Sequence, residues 1–253
     1  MKLPSNQVGR FFGLNRWRGI QVGLQLDYVV PTVRYGTSYG GWHLPNPVDL
    51  TETSVCVLVG AGEDISFDVA IARMFKSQVI IADPTPRAVQ HFQELLKAVK
   101  SQNSLPINSS TDDIYVCDHQ DLARIRFTSV GLSDVDAVQR FYLPVNPEHV
   151  SCSITNIQDT SDYFEAPCVR LVTLLKQQNV EKLDLLKLDI EGAEHRVLID
   201  MLSSQIFPRM LLVEFDDLTT SRLDNSLSLL RQHQYSLVHS EGRNVLFLRD
   251  LRE

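Results

Sequence analysis

This chain of 253 residues has no run of lysine and arginine, no apolar stretch of membrane length, no CxxC pair and no internal repeat. Each absence removes a class of function. Lys and Arg number 24 against 31 Asp and Glu, for a net charge of −7, so no nucleic acid is expected as a partner. No segment approaches the ~20 apolar residues of a membrane span. The first six residues open no apolar signal core, and a cytoplasmic protein that does not engage a membrane is the expectation. The four cysteines, Cys56, Cys117, Cys152 and Cys168, are scattered, with no histidine at metal-ligand spacing. They read as free thiols in a reducing compartment. What is present is ordinary for a globular fold: 43% hydrophobic and 22% charged residues, on a chain long enough to bury a full core.

The pattern divides the chain in two. Residues 1–50 mix Gly, Pro, aromatics and scattered arginines without a sustained period, and read as an extended arm or cap with at most one short helix. Tyr39-Gly40-Gly41-Trp42-His43-Leu44-Pro45 within it is loop chemistry. Residues 51–253 read as one α/β domain. Val55–Val59 is a continuous apolar run, the mark of a strand buried on both faces of a parallel sheet. A glycine loop follows, then helical periodicity over residues 65–76 and a second buried strand over Val79–Ala82. Pro86 suits the first turn of a helix reaching Lys100. Ser101–Asp113 reads as surface loop. Further strands are expected at residues 125–130, 137–143, 183–188 and 210–215, with residues 144–160 irregular. Helices are expected at 193–203 and 221–233, and a closing hairpin over 235–239 and 244–248. Strand, loop, helix, strand, acid, helix is the first half of a doubly wound, Rossmann-like sheet.

The loop Gly60-Ala61-Gly62-Glu63-Asp64 lies where nucleotide-derived cofactors meet the backbone in such sheets. Asp83 ends the second strand 21 residues beyond Gly62, the spacing of an acid that accepts ribose hydroxyls. NAD and S-adenosylmethionine both carry that ribose. The loop separates them: a pyrophosphate needs bare N–H groups at a positive helix end, whereas Glu63 and Asp64 sit there. Repulsion between two charges ~4 Å apart costs on the order of 1–4 kcal/mol. S-adenosylmethionine has no phosphate and carries an ammonium and a sulfonium that these acids would attract. The plainer role for either acid is to favour the helix N-terminus.

Three runs carry a resemblance: residues 59–68 (VGAGEDISFD), residues 82–87 (ADPTPR) and residues 185–194 (LLKLDIEGAE). Together with Tyr39–Trp42 and Leu212-Val213-Glu214, they make residues 35–250 resemble the FkbM-type methyltransferases. The resemblance implies a class I methyltransferase sheet of order 3-2-1-4-5-7-6. It also implies S-adenosylmethionine as cofactor and methylation of a hydroxyl on a sugar or natural product. Leu58 stands where an acid usually comes just before the first glycine, and Asp64 stands where a third glycine is common.

Ligands of an open α/β sheet sit outside the carboxyl ends of its strands, which is where Asp83, Asp189 and Glu214 fall. Asp189 is the candidate general base or acceptor-positioning group, supported by Glu214, because a hydroxyl must lose its proton as it is methylated. Glu191 and His195 are further candidates; a helix cap and a solvated histidine are the plainer readings. Gly60, Ala61, Gly62, Glu63, Asp64, Asp83, Pro84, Tyr39 and Gly41 form the expected cofactor wall. Asp118 or Asp121 is placed near the adenine amine, and His149, Ser151 and Ser153 are placed in an acceptor lid. Asp189 and Glu214 could instead hold Mg²⁺. The expected partner is a small-molecule or glycan acceptor. An NAD(P)-dependent oxidoreductase and a catalytically inactive cofactor-binding subunit are the alternatives.

Overall fold

The computed structural model describes residues 16–17, 20–21, 24–107, 113–146, 152–156, 159–216 and 220–250. Its centre is a seven-stranded sheet. Val55–Val59 (labelled β5; four short strands precede it) pairs in parallel with Gln78–Ala82 (β6), which pairs in parallel with Ile125–Thr128 (β7). On the other side β5 pairs with Leu185–Leu188 (β11), and β11 pairs with Met210–Glu214 (β12), again in parallel. Tyr235–Glu241 (β13) and Asn244–Arg249 (β14) form a closing hairpin, with β14 antiparallel to β12. The spatial order is β7-β6-β5-β11-β12-β14-β13. Numbered one to seven along the chain within this sheet, that order reads 3-2-1-4-5-7-6.

Side-chain alternation splits the sheet between two cores. Cys56, Leu58, Val79, Ile81, Leu185 and Leu212 face one layer. It is completed by Ser66–Phe75 (α1), Pro86–Lys100 (α2) and the short His119–Leu122 (α3). Val57, Val59, Ile80, Leu186, Leu188 and Val213 face the opposite layer. There Leu171–Gln177 (α4), Glu194–Ser203 (α5) and Thr220–Gln232 (α6) cover them. Burial on both faces is why these strands read as unbroken apolar runs.

Two regions differ from expectation. The first fifty residues are not an irregular arm throughout. Arg16–Trp17 (β1) pairs with Ile20–Gln21 (β2), and Thr32–Tyr35 (β3) pairs antiparallel with Trp42–Pro45 (β4). No helix occurs among the described residues of this stretch. Trp42 and Leu44 are buried against the α1 layer, and the Asp27 carboxylate accepts from the Leu237 N–H (2.8 Å) and pairs with Arg231. Residues 1–15, 18–19 and 22–23 of the expected arm lie outside the described residues. The second region follows β7: Gly131–Leu132 (β8), Ala137–Tyr142 (β9) and Tyr163–Val169 (β10) form a small sheet in the order β8-β10-β9. It stands at the end of the main sheet where the strands deliver their loops. No helix among the described residues is long and apolar enough to cross a membrane.

Candidate active site

A cavity of about 280 Å³ opens at the carboxyl ends of β5, β6, β11 and β12. The glycine loop, Asp83, Pro84 and Thr85 form one half. Asp189, Glu191, Glu214, Arg243 and Asn244 form the other, with Lys187 between the halves. The small sheet contributes Phe141 and Leu132, and the β3–β4 turn contributes Tyr39, Gly40 and Trp42.

The loop's backbone is dictated by what it touches. Gly60 has φ +80°, and a Cβ there would sit 1.8 Å from the carbonyl oxygen of Asp189. Only glycine lets the first and fourth strand ends approach this closely. Asp83 then ties the loop down. Its Oδ2 accepts from the N–H groups of Ala61 (2.8 Å) and Gly62 (3.1 Å), and its Oδ1 accepts from the Thr85 N–H (2.8 Å) and hydroxyl (2.7 Å). Asp64 Oδ2 accepts from the Thr37 hydroxyl at 2.6 Å and fastens the β3–β4 turn across the cavity. Glu63 pairs with Arg87 at 2.6 and 2.9 Å.

The far half holds its acids more tensely. Burial, the Asp189 charge and a hydrogen bond to Asp189 push the Glu214 carboxyl well above the usual carboxylate range, against the pull of Arg243 2.7 Å away. Two carboxyls in contact cannot both ionise cheaply, so Glu214 is the member that holds a proton. Lys187 stands beside Asp189. Its ammonium lies 3.3 Å from Asp189 Oδ2, donates to the Gly60 carbonyl at 2.6 Å and stands 5.4 Å from the centre of the Trp42 ring. Arg243 also pairs with Asp216. The Tyr39 ring is 73% exposed. Its hydroxyl is nonetheless held above the usual phenol value, by desolvation first and then by the charges of Asp189, Glu191, Glu214 and Asp64.

Of the residues expected from sequence, Gly60, Ala61, Gly62, Glu63, Asp64, Asp83, Pro84, Tyr39, Asp189, Glu191 and Glu214 all line this cavity. Three do not. Asp118 caps α3, its Oδ1 accepting from Gln120 and Asp121 N–H while the Asp121 carboxylate accepts from the Asp118 N–H. Both acids form that cap, outside the cavity lining. His195 is buried beneath the site, bonded to Ser226 (2.7 Å) and stacked on Phe215, so it is neither solvated nor in reach of a substrate in the cavity. Gly41 is a packing position: a Cβ there would sit 2.3 Å from the Thr37 carbonyl oxygen. His149 and Ser151 lie outside the described residues, whereas the Ser153 hydroxyl donates to the Glu191 carbonyl. The Mg²⁺ expectation meets the two cations, Lys187 and Arg243, already beside Asp189 and Glu214.

Sequence reasoning missed Lys187, Arg243, Asn244, Phe141, Cys152 and Ile154. Lys187 had a signal: a single charge inside an apolar run on a doubly buried strand needs a partner. The others come from the small sheet with the segment bridged to it and from the closing hairpin and carried none.

A glycine loop after the first strand and acids at the ends of the second, fourth and fifth define a class of α/β proteins that hold a nucleoside-type ligand at the sheet's carboxyl edge. The model of the methyltransferase FkbM domain matches residues 59–237; the chain belongs to that family. A solved structure, the fibrillarin pre-rRNA processing protein of Methanococcus jannaschii, is similar at 15% identity and a TM-score of 0.40. That match covers 79% of this chain and 67% of that one. No curated protein sequence matches.

Proposed function

We infer that the protein is an S-adenosylmethionine-dependent O-methyltransferase whose acceptor is a hydroxyl on a sugar or other small molecule. One observation carries the cofactor reading: the Ala61 and Gly62 N–H groups are already bonded to Asp83. A pyrophosphate would need such donors bare, and it would meet Glu63, Asp64 and Asp189 besides. A cationic, phosphate-free ligand suits that wall. This disfavours a dinucleotide-dependent oxidoreductase.

The loop and Asp83 would hold the nucleoside end, with Asp64, Asp189 and Glu191 nearest the positive end. When bound, the cofactor supplies an electrophilic methyl group. The chain's own residues handle the proton. Asp189, paired with Lys187, accepts the proton of the acceptor hydroxyl as the oxygen becomes nucleophilic. Protonated Glu214 donates to Asp189 and holds its orientation, and Arg243 fixes Glu214 in turn. Phe141 and Leu132 give the acceptor side an apolar face and help exclude water.

The test is release of S-adenosylhomocysteine with a panel of sugar and polyketide alcohols beside matched amines and thiols. Turnover of alcohols that falls at least a hundredfold in Asp189→Asn is expected. Turnover of amines alone, or undiminished turnover in the variant, contradicts the reading.

A further inference from the structure

We propose that the chain carries a binding site for a divalent transition-metal ion, Zn²⁺ being the best chemical match, formed by His43 of β4 with His239 and Glu241 of β13. It lies outside the acidic cavity and does not depend on methyl transfer.

Among the described residues these three side chains are the one group of His, Cys, Asp and Glu whose ligand atoms all lie within 4.8 Å of one another. The imidazoles stack with centroids 4.2 Å apart and planes 23° from parallel. Both direct Nδ1 at one hydroxyl: Thr32 Oγ1 lies 3.1 Å from His43 Nδ1 and 3.4 Å from His239 Nδ1. A threonine oxygen has two lone pairs and can accept from both rings, an arrangement that leaves each Nε2 bare. Metal-bound histidines are held this way, by an acceptor on the other ring nitrogen.

A void of about 10 Å³ is lined by His43, His239 and Glu241 together with Trp42, Leu212 and Asn244, room for about one ion or water. His239 Nε2 is buried there with no hydrogen-bond partner among the described residues. A buried nitrogen lone pair aimed at a small void lacks the acceptor's usual compensation. His43 Nε2 lies 3.6 Å from Glu241 Oε2. Tetrahedral zinc with bonds of ~2.0–2.1 Å places its ligands about 3.4 Å apart, so gaps of up to 4.8 Å must close by as much as about 1.4 Å. Two imidazoles and one carboxylate suit zinc and its neighbours, not Mg²⁺ or Ca²⁺. Arg34 pairs with the same Glu241 oxygen, so the ion competes with a guanidinium for that ligand and draws its affinity chiefly from the imidazoles.

The position gives the site a use. His43 is one residue from Trp42, and Glu241 two from Arg243, both in the cavity wall. An ion here would join the β3–β4 hairpin to the β13–β14 hairpin, the two lips flanking Lys187 and Glu214.

The full chain, stripped with chelator and without cofactor, is titrated calorimetrically with ZnCl2 and separately with CoCl2, following the visible spectrum. One Zn²⁺ per chain is expected. The Co²⁺ d–d bands should lack thiolate charge transfer, which sets the four cysteines aside. His43→Asn and His239→Asn should each weaken Zn²⁺ binding at least tenfold. Thr32→Val, which keeps the shape but removes the shared acceptor, should weaken it about 10–100-fold. No stoichiometric binding, a thiolate band, or unchanged affinity in both His43→Asn and Thr32→Val would overturn the site.

Discussion

The two halves of the cavity use the same residue type for opposite ends. On the glycine-loop side the acids are saturated: Asp83 accepts four hydrogen bonds, Asp64 holds the Thr37 hydroxyl and Glu63 pairs with Arg87. On the Asp189 side they are crowded together beside two cations, Lys187 and Arg243. Glu214 is driven to its neutral form. Glu194, just below, is buried, with Oε2 unpartnered among the described residues. A carboxylate that spends its lone pairs on backbone N–H groups sets a shape. One that shares a proton with its neighbour is poised to take another. Acids near a ligand are therefore not equivalent, and the hydrogen-bond inventory tells them apart.

The sharpest way to break this contrast is to neutralise the two members of the pair separately. Asp189→Asn should lower turnover about 10²–10⁴-fold, the usual contribution of a positioned base. Glu214→Gln should keep it within about tenfold, because the amide still donates to Asp189 as the protonated acid does. Equal losses in steady-state kinetics would show that the two carboxyls do not divide the work.

Lys187→Met removes the cation from a pair with little solvent around it, since the Lys187 side chain is only 5% exposed. Breaking such pairs costs about 3–5 kcal/mol, measurable as a shift in denaturant midpoint. Losing the cation also removes the ammonium 3.3 Å from Asp189, so turnover should fall in the same variant. Turnover that does not change would detach Lys187 from Asp189.

Glu194 gives a pH signature. Burial, its largest influence, lifts its carboxyl from 4.5 to about 7. The native state then holds a proton that the unfolded chain releases at lower pH, so its contribution is complete below 4.5 and is lost as pH rises to about 7. Stability of the wild type should fall across that window with a slope of up to about 1.4 kcal/mol per pH unit from this group. Glu194→Gln keeps the Oε1 that accepts the Gly192 N–H and should flatten the slope. Asp68, buried and lifted to about 7, leaves part of it. An unchanged slope would mean that Glu194 is not neutral in the fold.

The smallest effect is expected on the saturated side. Ribose hydroxyls would reach Asp83 only by displacing a donor, and the Thr85 hydroxyl is the one that can rotate away. Thr85→Val should leave S-adenosylhomocysteine affinity unchanged or raise it a few-fold. A large loss would make Thr85 itself a contact.

How far the residues announce this architecture varies along the chain. β5, β6, β11 and β12 were legible because burial on both faces leaves unbroken apolar runs. The loop acids were legible because chain order places strand ends together in a doubly wound sheet. β10 was not: Pro167 lies within it and Pro argues against a paired strand, yet it falls one residue before pairing with β8 begins. The seven residues of α4 and four of α3 are too short to show a period. Asp118 carries no local sign of its cap bonds, since an acid before a four-residue helix is too short a pattern to show one. Arg243 read only as a turn residue, since nothing local says that the closing hairpin folds back onto Glu214.

The most direct test of the central claim is a pair of calorimetric titrations of the wild-type chain, with S-adenosylhomocysteine and with NAD. Saturable one-to-one binding of S-adenosylhomocysteine and none of NAD is expected from a loop whose amides are held by Asp83. Binding of NAD in preference would contradict it.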